Sequence, residues 1–210
     1  MNRVELINAL IKKHNYKRYL EIGVDTGGCF EQIMCETKEG VDPGHDDGIS
    51  DHGGDNNFVY KNITYKTTSD DFFKNYAPSL EKYDIIFIDG LHHSDQVDKD
   101  IQNSLQYLNE KGSIILHDCN PLTEDSQIVP RIQNYWHGDV WKSIVKFRNT
   151  SDIGCITISD DCGLGVINYN LPKGPQFNMP LKLTYSWLEE NRSDALHLVS
   201  AEVGKYLLNI

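Results

Sequence analysis

No part of this chain reaches the roughly 18 consecutive apolar residues that a membrane-spanning helix needs, and its first 14 residues contain no apolar core of a signal peptide. Basic residues are also scarce. Twenty Lys and Arg face 31 Asp and Glu, for a net charge of −11, and Lys or Arg never stand more than two in a row. Such a chain repels phosphate backbones and anionic lipid, which speaks against nucleic acid or a membrane as partner. The five cysteines (Cys29, Cys35, Cys119, Cys155, Cys162) are odd in number and form no C-x-x-C pair. A disulfide framework and a thiolate zinc cluster are therefore not expected, and a reducing cytoplasm is. Internal repeats and low-complexity tracts are lacking too. At 210 residues the chain can bury one good core. We expect that core in residues 1–170, with 171–210 as an arm and helices that pack on it or on a second subunit of a homodimer.

What is there begins with Tyr19-Leu20-Glu21-Ile22-Gly23-Val24-Asp25-Thr26-Gly27-Gly28. An apolar strand breaks into glycines, and apolar residues resume at Phe30, Ile33 and Met34, which predicts a helix from about Cys29 to Glu36. A strand, a tight turn and a helix start present bare backbone N–H groups to a ligand. Gly23 and Gly27 would let the main chain bend and lie against it. Ahead of this strand (Arg18 to Ile22), the spacing of Val4, Leu6, Ile7, Leu10 and Ile11 predicts an amphipathic helix over Glu5 to Lys13.

A short strand at Glu39 to Val41 ends in Asp42-Pro43-Gly44. In a doubly wound sheet an acid at this place, about 20 residues after the turn begins, can accept two hydroxyl protons of a ribose; capping a turn before Pro43 is the plain alternative. The Asp-, Gly- and His-rich stretch from Pro43 to Asn57 lacks the closing glutamate of a calcium loop, and reads as a solvated loop or a lid. A strand at Ile63 to Lys66 follows. Ser69 or Asp70 then caps a helix carrying Phe72, Phe73 and Tyr76, and Asp70 is equally placed to reach a bound base.

Tyr83 to Asp89 is a continuous apolar run of the kind a central parallel strand requires, and it ends in Asp89-Gly90-Leu91-His92-His93. A helix over Ser94 to Leu108 carries Val97, Ile101, Leu105 and Leu108 on one stripe. The fifth strand, Ser113 to Leu116, leads to His117-Asp118-Cys119-Asn120. Two neighbouring strands thus finish in His/Asp clusters at the edge where open α/β sheets bind ligands, which marks a reaction centre. Helices are predicted near Val129 to Tyr135 and Asp139 to Phe147. Strands Gly154 to Ile158 and Gly163 to Tyr169 are joined by only four residues, so they must pair as an antiparallel hairpin. Beyond the proline-containing stretch Leu171 to Pro180, two helices carry Tyr185, Trp187, Leu188, then Leu196, Val199, Val203 and Leu207.

Five strand–helix units closed by a β-hairpin, with an acid-x-Gly-x-x-x-Gly first turn, resemble the class I S-adenosylmethionine-dependent methyltransferases over Arg18 to Tyr169. More narrowly, Glu-Ile-Gly-Val-x-x-Gly-Gly, Val-Asp-Pro, Thr-Ser-Asp-x-Phe-Phe, Phe-Ile-Asp-Gly-x-His, Leu-His-Asp and Gly-Asp-Val-Trp-Lys resemble the family often called methyltransferase domain 24, whose members recur among sugar, antibiotic and surface-glycan modifying proteins. The resemblance implies a doubly wound, mostly parallel seven-stranded sheet with a terminal antiparallel β-hairpin. It also implies that Glu21, Gly23 and Gly27, with Val24, frame the methionine part of the cofactor. Asp42 would hold the ribose, Ser69 and Asp70 would approach the adenine, and Asp89 with Gly90 would line the methyl-donor pocket. The chain departs from the fuller glycine pattern at Asp25. A carboxylate there repels phosphates and tolerates a sulfonium, which weakens a nicotinamide-dependent oxidoreductase as the rival.

Methyl transfer is an in-line displacement, so the protein aligns donor and acceptor and removes a proton. For a hydroxyl acceptor on a sugar, glycan or other small molecule, His92 is the first choice of base, with His93 and the His117–Asp118 pair behind it. A structural hydrogen bond at a loop is the other reading of each histidine. Asp89, Asp118 and Asn120 carry the oxygen ligands of a Mg²⁺ site, although His117 and Cys119 flank Asp118 where a second carboxylate is wanted. Trp136, His137, Asp139 and Trp141 wall an acceptor pocket, or the two tryptophans are core. A metal-dependent hydroxylase-like relative and a non-catalytic cofactor-binding module stay open as alternatives.

Overall fold

The computed structural model describes residues 1–44 and 63–210. Most of the Asp/Gly-rich stretch, from residue 45 to Asn57, lies outside the described residues. The apolar runs form one seven-stranded sheet in the order β2-β1-β3-β4-β6-β5-β7. Strand β1 (Arg18–Ile22) pairs in parallel with β2 (Thr37–Val41) and β3 (Tyr83–Ile88), and β3 with β4 (Leu108–Leu116). The hairpin of β5 (Gly154–Ile158) and β6 (Leu164–Asn168) joins β4 antiparallel through β6. Strand β7 (Leu198–Val199) adds a short parallel edge on β5.

Register is what builds the site. Ile22 stands opposite both Val41 and Ile88, and Ile88 opposite Leu116. The next residues of those four strands, Gly23, Asp42, Asp89 and His117, therefore leave the sheet along one edge. Side chains alternate between the two faces, as the pleat requires. Leu20, Ile22, Ile86, Ile88, Ile114 and Leu116 face one core, while Tyr19, Ile85, Phe87 and Ile115 face the other. The first core is covered by α2 (Ser69–Asn75), α3 (Ser94–Tyr107), α5 (Trp141–Thr150) and α6 (Tyr185–Leu196). The second is covered by α1 (Arg3–His14) and α7 (Ala201–Leu208). Among the described residues no helix is long and apolar enough to cross a membrane.

Four expectations need correction. The helix over Cys29 to Glu36 is a single 3₁₀ turn, Phe30–Gln32, because residues 23–36 are all that separate β1 from β2 and the glycine turn uses the first of them. Helix α1 covers that face instead, with Leu6, Ile7, Leu10 and Ile11 sharing a core with Phe30 and Ile33. The strand at Ile63 to Lys66 is only a parallel bridge from Tyr65 to Val41, and the seventh strand is β7. The cap of α2 is Thr68, whose side chain accepts from Asp71 N, rather than Ser69 or Asp70. Finally, the helix near Val129 to Tyr135 gives way to the short α4 (Glu124–Gln127) and an irregular segment. Its carbonyls are met by side chains: Trp136 Nε1 donates to Ile128 O at 2.6 Å, and Arg131 donates to the carbonyls of Gln133 and Asn134 at 2.9 Å. With those carbonyls satisfied and Pro130 lacking an N–H, a helical ladder gains nothing here.

Candidate active site

The four strand ends open into one cavity of about 800 Å³, within the range of small-molecule and cofactor sites. Among the described residues, seven carboxylates line it (Glu21, Asp25, Asp42, Asp70, Asp89, Asp100, Asp118), beside two guanidinium groups, Arg3 and Arg131, and three histidines, His92, His117 and His137. Such a wall favours a cationic ligand and disfavours a pyrophosphate.

One end is the glycine turn. Gly23 (φ +88°) donates to Val41 O at 2.9 Å and touches the neighbouring strand so closely that a Cβ on it would lie 2.2 Å from Asp89 O. Glycine is therefore needed here for two strand ends to meet, and not only for approach to a ligand as its place in the turn suggested. Asp25 takes a left-handed conformation, φ +49°, so it does what a middle glycine would do at the cost Asp bears more easily than most residues. Asp42 holds the turn from below. Its Oδ2 accepts from Val24 N and Asp25 N, both at 2.9 Å, and its Oδ1 accepts from Gly44 N at 2.7 Å. A carboxylate has about four acceptor positions, so about one remains for a ligand hydroxyl instead of two. Gly27 does not line the cavity; it closes the turn from behind, donating to Val24 O, and Gly28 and Cys29 reach the cavity in its place.

Glu21 is 1% exposed and accepts the phenol proton of Tyr19. Burial pushes its pKa up to about 8; Asp89 adds to this, and the Tyr19 hydrogen bond, Lys38 and Arg3 oppose it. Farther along the wall, Ser69, Asp70 and Asp100 converge on the amide of Gln96, with N···O distances of 3.2, 3.0 and 3.1 Å. Lys99 also pairs with Asp70, at 3.3 Å. Asp100 is 1% exposed, burial pushes its pKa up to about 6, and its Oδ2 has no hydrogen-bond partner.

The other end gathers three histidines and three aspartates. His92 lies edge-on between two carboxylates, with Nε2 3.3 Å from Asp89 Oδ1 and Nδ1 3.4 Å from Asp118 Oδ2. Burial lowers its pKa, but those carboxylates outweigh burial and raise it above the ordinary imidazole value. Burial likewise pushes Asp89 up, and His117 and His92 overcome that and hold its carboxyl well below the usual carboxylate range. Trp136 stacks on His92, centroids 5.2 Å apart at 22°, and Gly138 packs so closely on the His92 backbone that a Cβ there would lie 1.9 Å from His92 O. His137 is 1% exposed, Tyr135 meets its ring edge-on, and neither of its nitrogens has a hydrogen-bond partner. Burial keeps its pKa below the ordinary value. Asp118 (φ +59°), Asp161 (φ +49°) and Cys162 (φ +62°) are all left-handed. For Asp161 and Cys162 this is the conformation a two-residue hairpin turn requires, closed by Gly163 N donating to Asp160 O at 2.9 Å.

Of the expected residues, Glu21, Gly23, Val24, Asp42, Ser69, Asp70, Asp89, Gly90, His92, His117 and Asp118 share this cavity. His93 does not line it; its carbonyl accepts from Gln96 N and Val97 N at the start of α3. Asn120 is turned away, its Oδ1 accepting from Arg192 Nη1 at 2.7 Å. The all-oxygen set of Asp89, Asp118 and Asn120 is thus not assembled. Among the described residues, ligand atoms within 4.8 Å of one another come from Asp89, His92 and Asp118, and from His117, Asp118 and Cys162. Trp136 and His137 line the cavity, whereas Trp141 is fully buried in the core and Asp139 caps α3, accepting from Ser94 N at 2.6 Å. Sequence reasoning did not find Arg3, Asp100, Asp161, Cys162 or Arg131 here.

Residues 20–119 match the family model of a methyltransferase domain. No curated protein sequence matches the chain. Among solved structures, the O-methyltransferase TomG of Streptomyces achromogenes, involved in tomaymycin synthesis and crystallised with S-adenosylmethionine, aligns with a TM-score of 0.55 at 12% identity, over 79% of this chain and 78% of its own. The methyltransferase PaMTH1 of Podospora anserina, bound to S-adenosylhomocysteine, aligns at 0.54 and 13% identity, over 79% and 77%. An O-methyltransferase of Bacillus cereus, bound to the same product, aligns at 0.52 and 11% identity, over 79% and 80%. At these identities the likeness is one of fold.

Proposed function

We propose that this chain, which carries a methyltransferase domain over residues 20–119, transfers a methyl group from S-adenosylmethionine to a hydroxyl oxygen of a sugar, glycan or other small molecule. The observation that carries this reading is one cavity with two chemically different ends. At the first, Glu21, Asp42 and the backbone of Gly23 to Asp25 offer acceptors and a turn to a ligand that is cationic and bears ribose hydroxyls; Ser69, Asp70 and Asp100 offer further acceptors to its amino group. S-adenosylmethionine supplies the activated methyl carbon. At the second end His92 would take the hydroxyl proton of the acceptor, whose oxygen would receive the methyl group from a cofactor held by Glu21, Asp42 and the Gly23–Asp25 turn. Trp136 offers an aromatic wall there, held by its hydrogen bond to Ile128 O.

Glu21 makes the first half of this testable. Its folded pKa of about 8 lies above the ordinary 4.5, so between those values the empty site holds a proton. Stability from this group is present at low pH and is lost as pH rises through 8. A cationic ligand beside Glu21 favours the carboxylate and expels the proton. Calorimetric titration with S-adenosylmethionine is expected to show micromolar binding that tightens from about pH 6 to 8, by at most about tenfold per unit. Tyr19, Cys29, Asp89, Lys38 and Arg3 are the groups that set the position of this titration. In Glu21→Gln the slope is expected to vanish. Absence of binding at every pH would overturn the reading.

A further inference from the structure

Three segments far apart in sequence meet beside the acceptor end. The end of β4 brings His117 and Asp118, the segment before α5 brings His137, and the β5–β6 turn brings Cys162. A ring nitrogen of His117, a carboxylate oxygen of Asp118 and the Cys162 sulfur lie within 4.8 Å of one another, and His137 Nε2 is 3.9 Å from Asp118 Oδ1. Donors bound about 2.0–2.3 Å from one tetrahedral ion stand roughly 3.3–3.8 Å apart, so these groups need to shift by only about 1 Å to share one. The donors also lack other employment. His117 and His137 are buried, yet His117 Nε2 and both ring nitrogens of His137 have no hydrogen-bond partner. Imidazole nitrogens shut off from water are ordinarily paired, so three orphans at one place point to a ligand between them. Magnesium asks for oxygens, and that set is not assembled, because Asn120 serves Arg192. The other close set, Asp89, His92 and Asp118, has Asp89 already paired to Arg3, whose Nη1 lies 2.8 Å from Asp89 Oδ2.

We propose that His117, Asp118, His137 and Cys162 form a four-coordinate site for a borderline-soft divalent cation of the Zn²⁺ type. Two imidazoles, a carboxylate and a thiolate are the donors such an ion takes, and sulfur is the one that magnesium refuses. Cys162 binds as the thiolate and releases its proton to water. Tyr135 Oη, 3.8 Å from the sulfur, is placed to donate to that thiolate. With four protein donors the site is closed, so its work is to tie segments together and not to bind the acceptor. His137 is already fixed on its other side, where its N–H donates to Ser126 O at 2.7 Å. The ion would thus pin the segment that carries Trp136 over His92. That consequence for the acceptor rests on the methyl-transfer reading; the donor set does not.

Cobalt reports sulfur ligation directly, so the test reads a spectrum and not activity. The full chain, stripped with chelator under reductant and without cofactor, is titrated with Co²⁺. Stoichiometric binding is expected, with a near-ultraviolet thiolate-to-cobalt charge-transfer band and the strong visible bands of four-coordinate cobalt. Zn²⁺ is expected to displace the cobalt, and excess Mg²⁺ is expected to leave it in place. Cys162→Ser is expected to lose the near-ultraviolet band and to bind Zn²⁺ at least about tenfold more weakly. His137→Gln is expected to keep the band and to weaken Zn²⁺ by a similar factor. Cys29→Ser, whose thiol reaches the same cavity at the glycine turn, is the control and is expected to keep both band and affinity. Cobalt bound without the sulfur band, a band that survives in Cys162→Ser, displacement by Mg²⁺, or no binding of either ion by the wild type would each overturn the proposal. Should Cys162→Ser not fold, alkylation of the wild type with peptide mapping decides it: Zn²⁺ is expected to slow labelling of Cys162 at least about tenfold, and unchanged labelling would overturn the proposal. Failure of the methyl-transfer reading would appear separately, as a lack of cofactor binding.

Discussion

His92→Ala is expected to lower turnover by about a hundred- to ten-thousandfold, the usual worth of a positioned acid–base group, while cofactor affinity stays within about twofold. The two effects separate because the proposed function puts His92 at the acceptor end. Its ring lies between Asp89 and Asp118 under the face of Trp136, while the glycine turn proposed to receive the cofactor is held by Asp42. The pH dependence has a definite sign. His92 carries a raised pKa, so it is protonated to a higher pH than a free imidazole, and turnover is expected to rise with pH through that raised value. Asp118→Asn removes one of the groups that raise it and is expected to shift the rising limb toward acid. Turnover in His92→Ala equal to wild type would remove the residue from the chemistry. A cofactor affinity that collapsed together with turnover would instead place His92 at the donor.

Gly23→Ala is expected to abolish cofactor binding and to lower Tm by about 10 °C, which corresponds to about 3–5 kcal/mol in a chain of this size. Two costs combine. A left-handed φ of +88° penalises any Cβ, and the added carbon would stand 2.2 Å from Asp89 O and 2.5 Å from the Cα of Gly90. Both neighbours are backbone, so the strain is relieved only by pushing the ends of β1 and β3 apart, and Asp89 sits on that end. Gly28→Ala is the control. Its Cβ would meet nothing nearer than the Thr26 hydroxyl at 3.9 Å, and it is expected to leave Tm within about 2 °C. A Gly23→Ala protein with unchanged Tm and intact cofactor binding would show that the close approach of the two loops is not what the site depends on.

The edge of the sheet was legible because each central strand announces itself twice, by a β-branched or aromatic run and by the polar residues that end it. Ile85-Ile86-Phe87-Ile88 followed by Asp89, and Ile114-Ile115-Leu116 followed by His117-Asp118, place two strand ends together before any coordinates are known. The hairpin was legible from the length of its loop alone. Local pattern failed where competition decided the outcome. Phe30, Ile33 and Met34 have helical spacing, yet Met34 is 74% exposed, because the connection is too short and α1 already covers that face. Asp100 sits among polar residues of α3 and reads as solvent-facing, whereas it is buried in the cavity wall. Arg3 and Asp161 lie 158 residues apart, and only the tertiary arrangement of α1 against the β5–β6 turn brings them to Asp89. Asn120 has the right chemistry for a metal ligand at the right strand end, but Arg192, far along the chain, claims its oxygen.

The central claim is transfer of a methyl group to oxygen, and product mass tests it most directly. The full chain, S-adenosylmethionine carrying a labelled methyl group, and a panel of sugars and small hydroxyl compounds are incubated together and the products are analysed by mass spectrometry and NMR. The account predicts an acceptor heavier by one methylene, with the label on an ether oxygen and one S-adenosylhomocysteine released per event, and it predicts that this product is lost in His92→Ala. An acceptor heavier by one oxygen, or a label found on nitrogen or carbon, would contradict it.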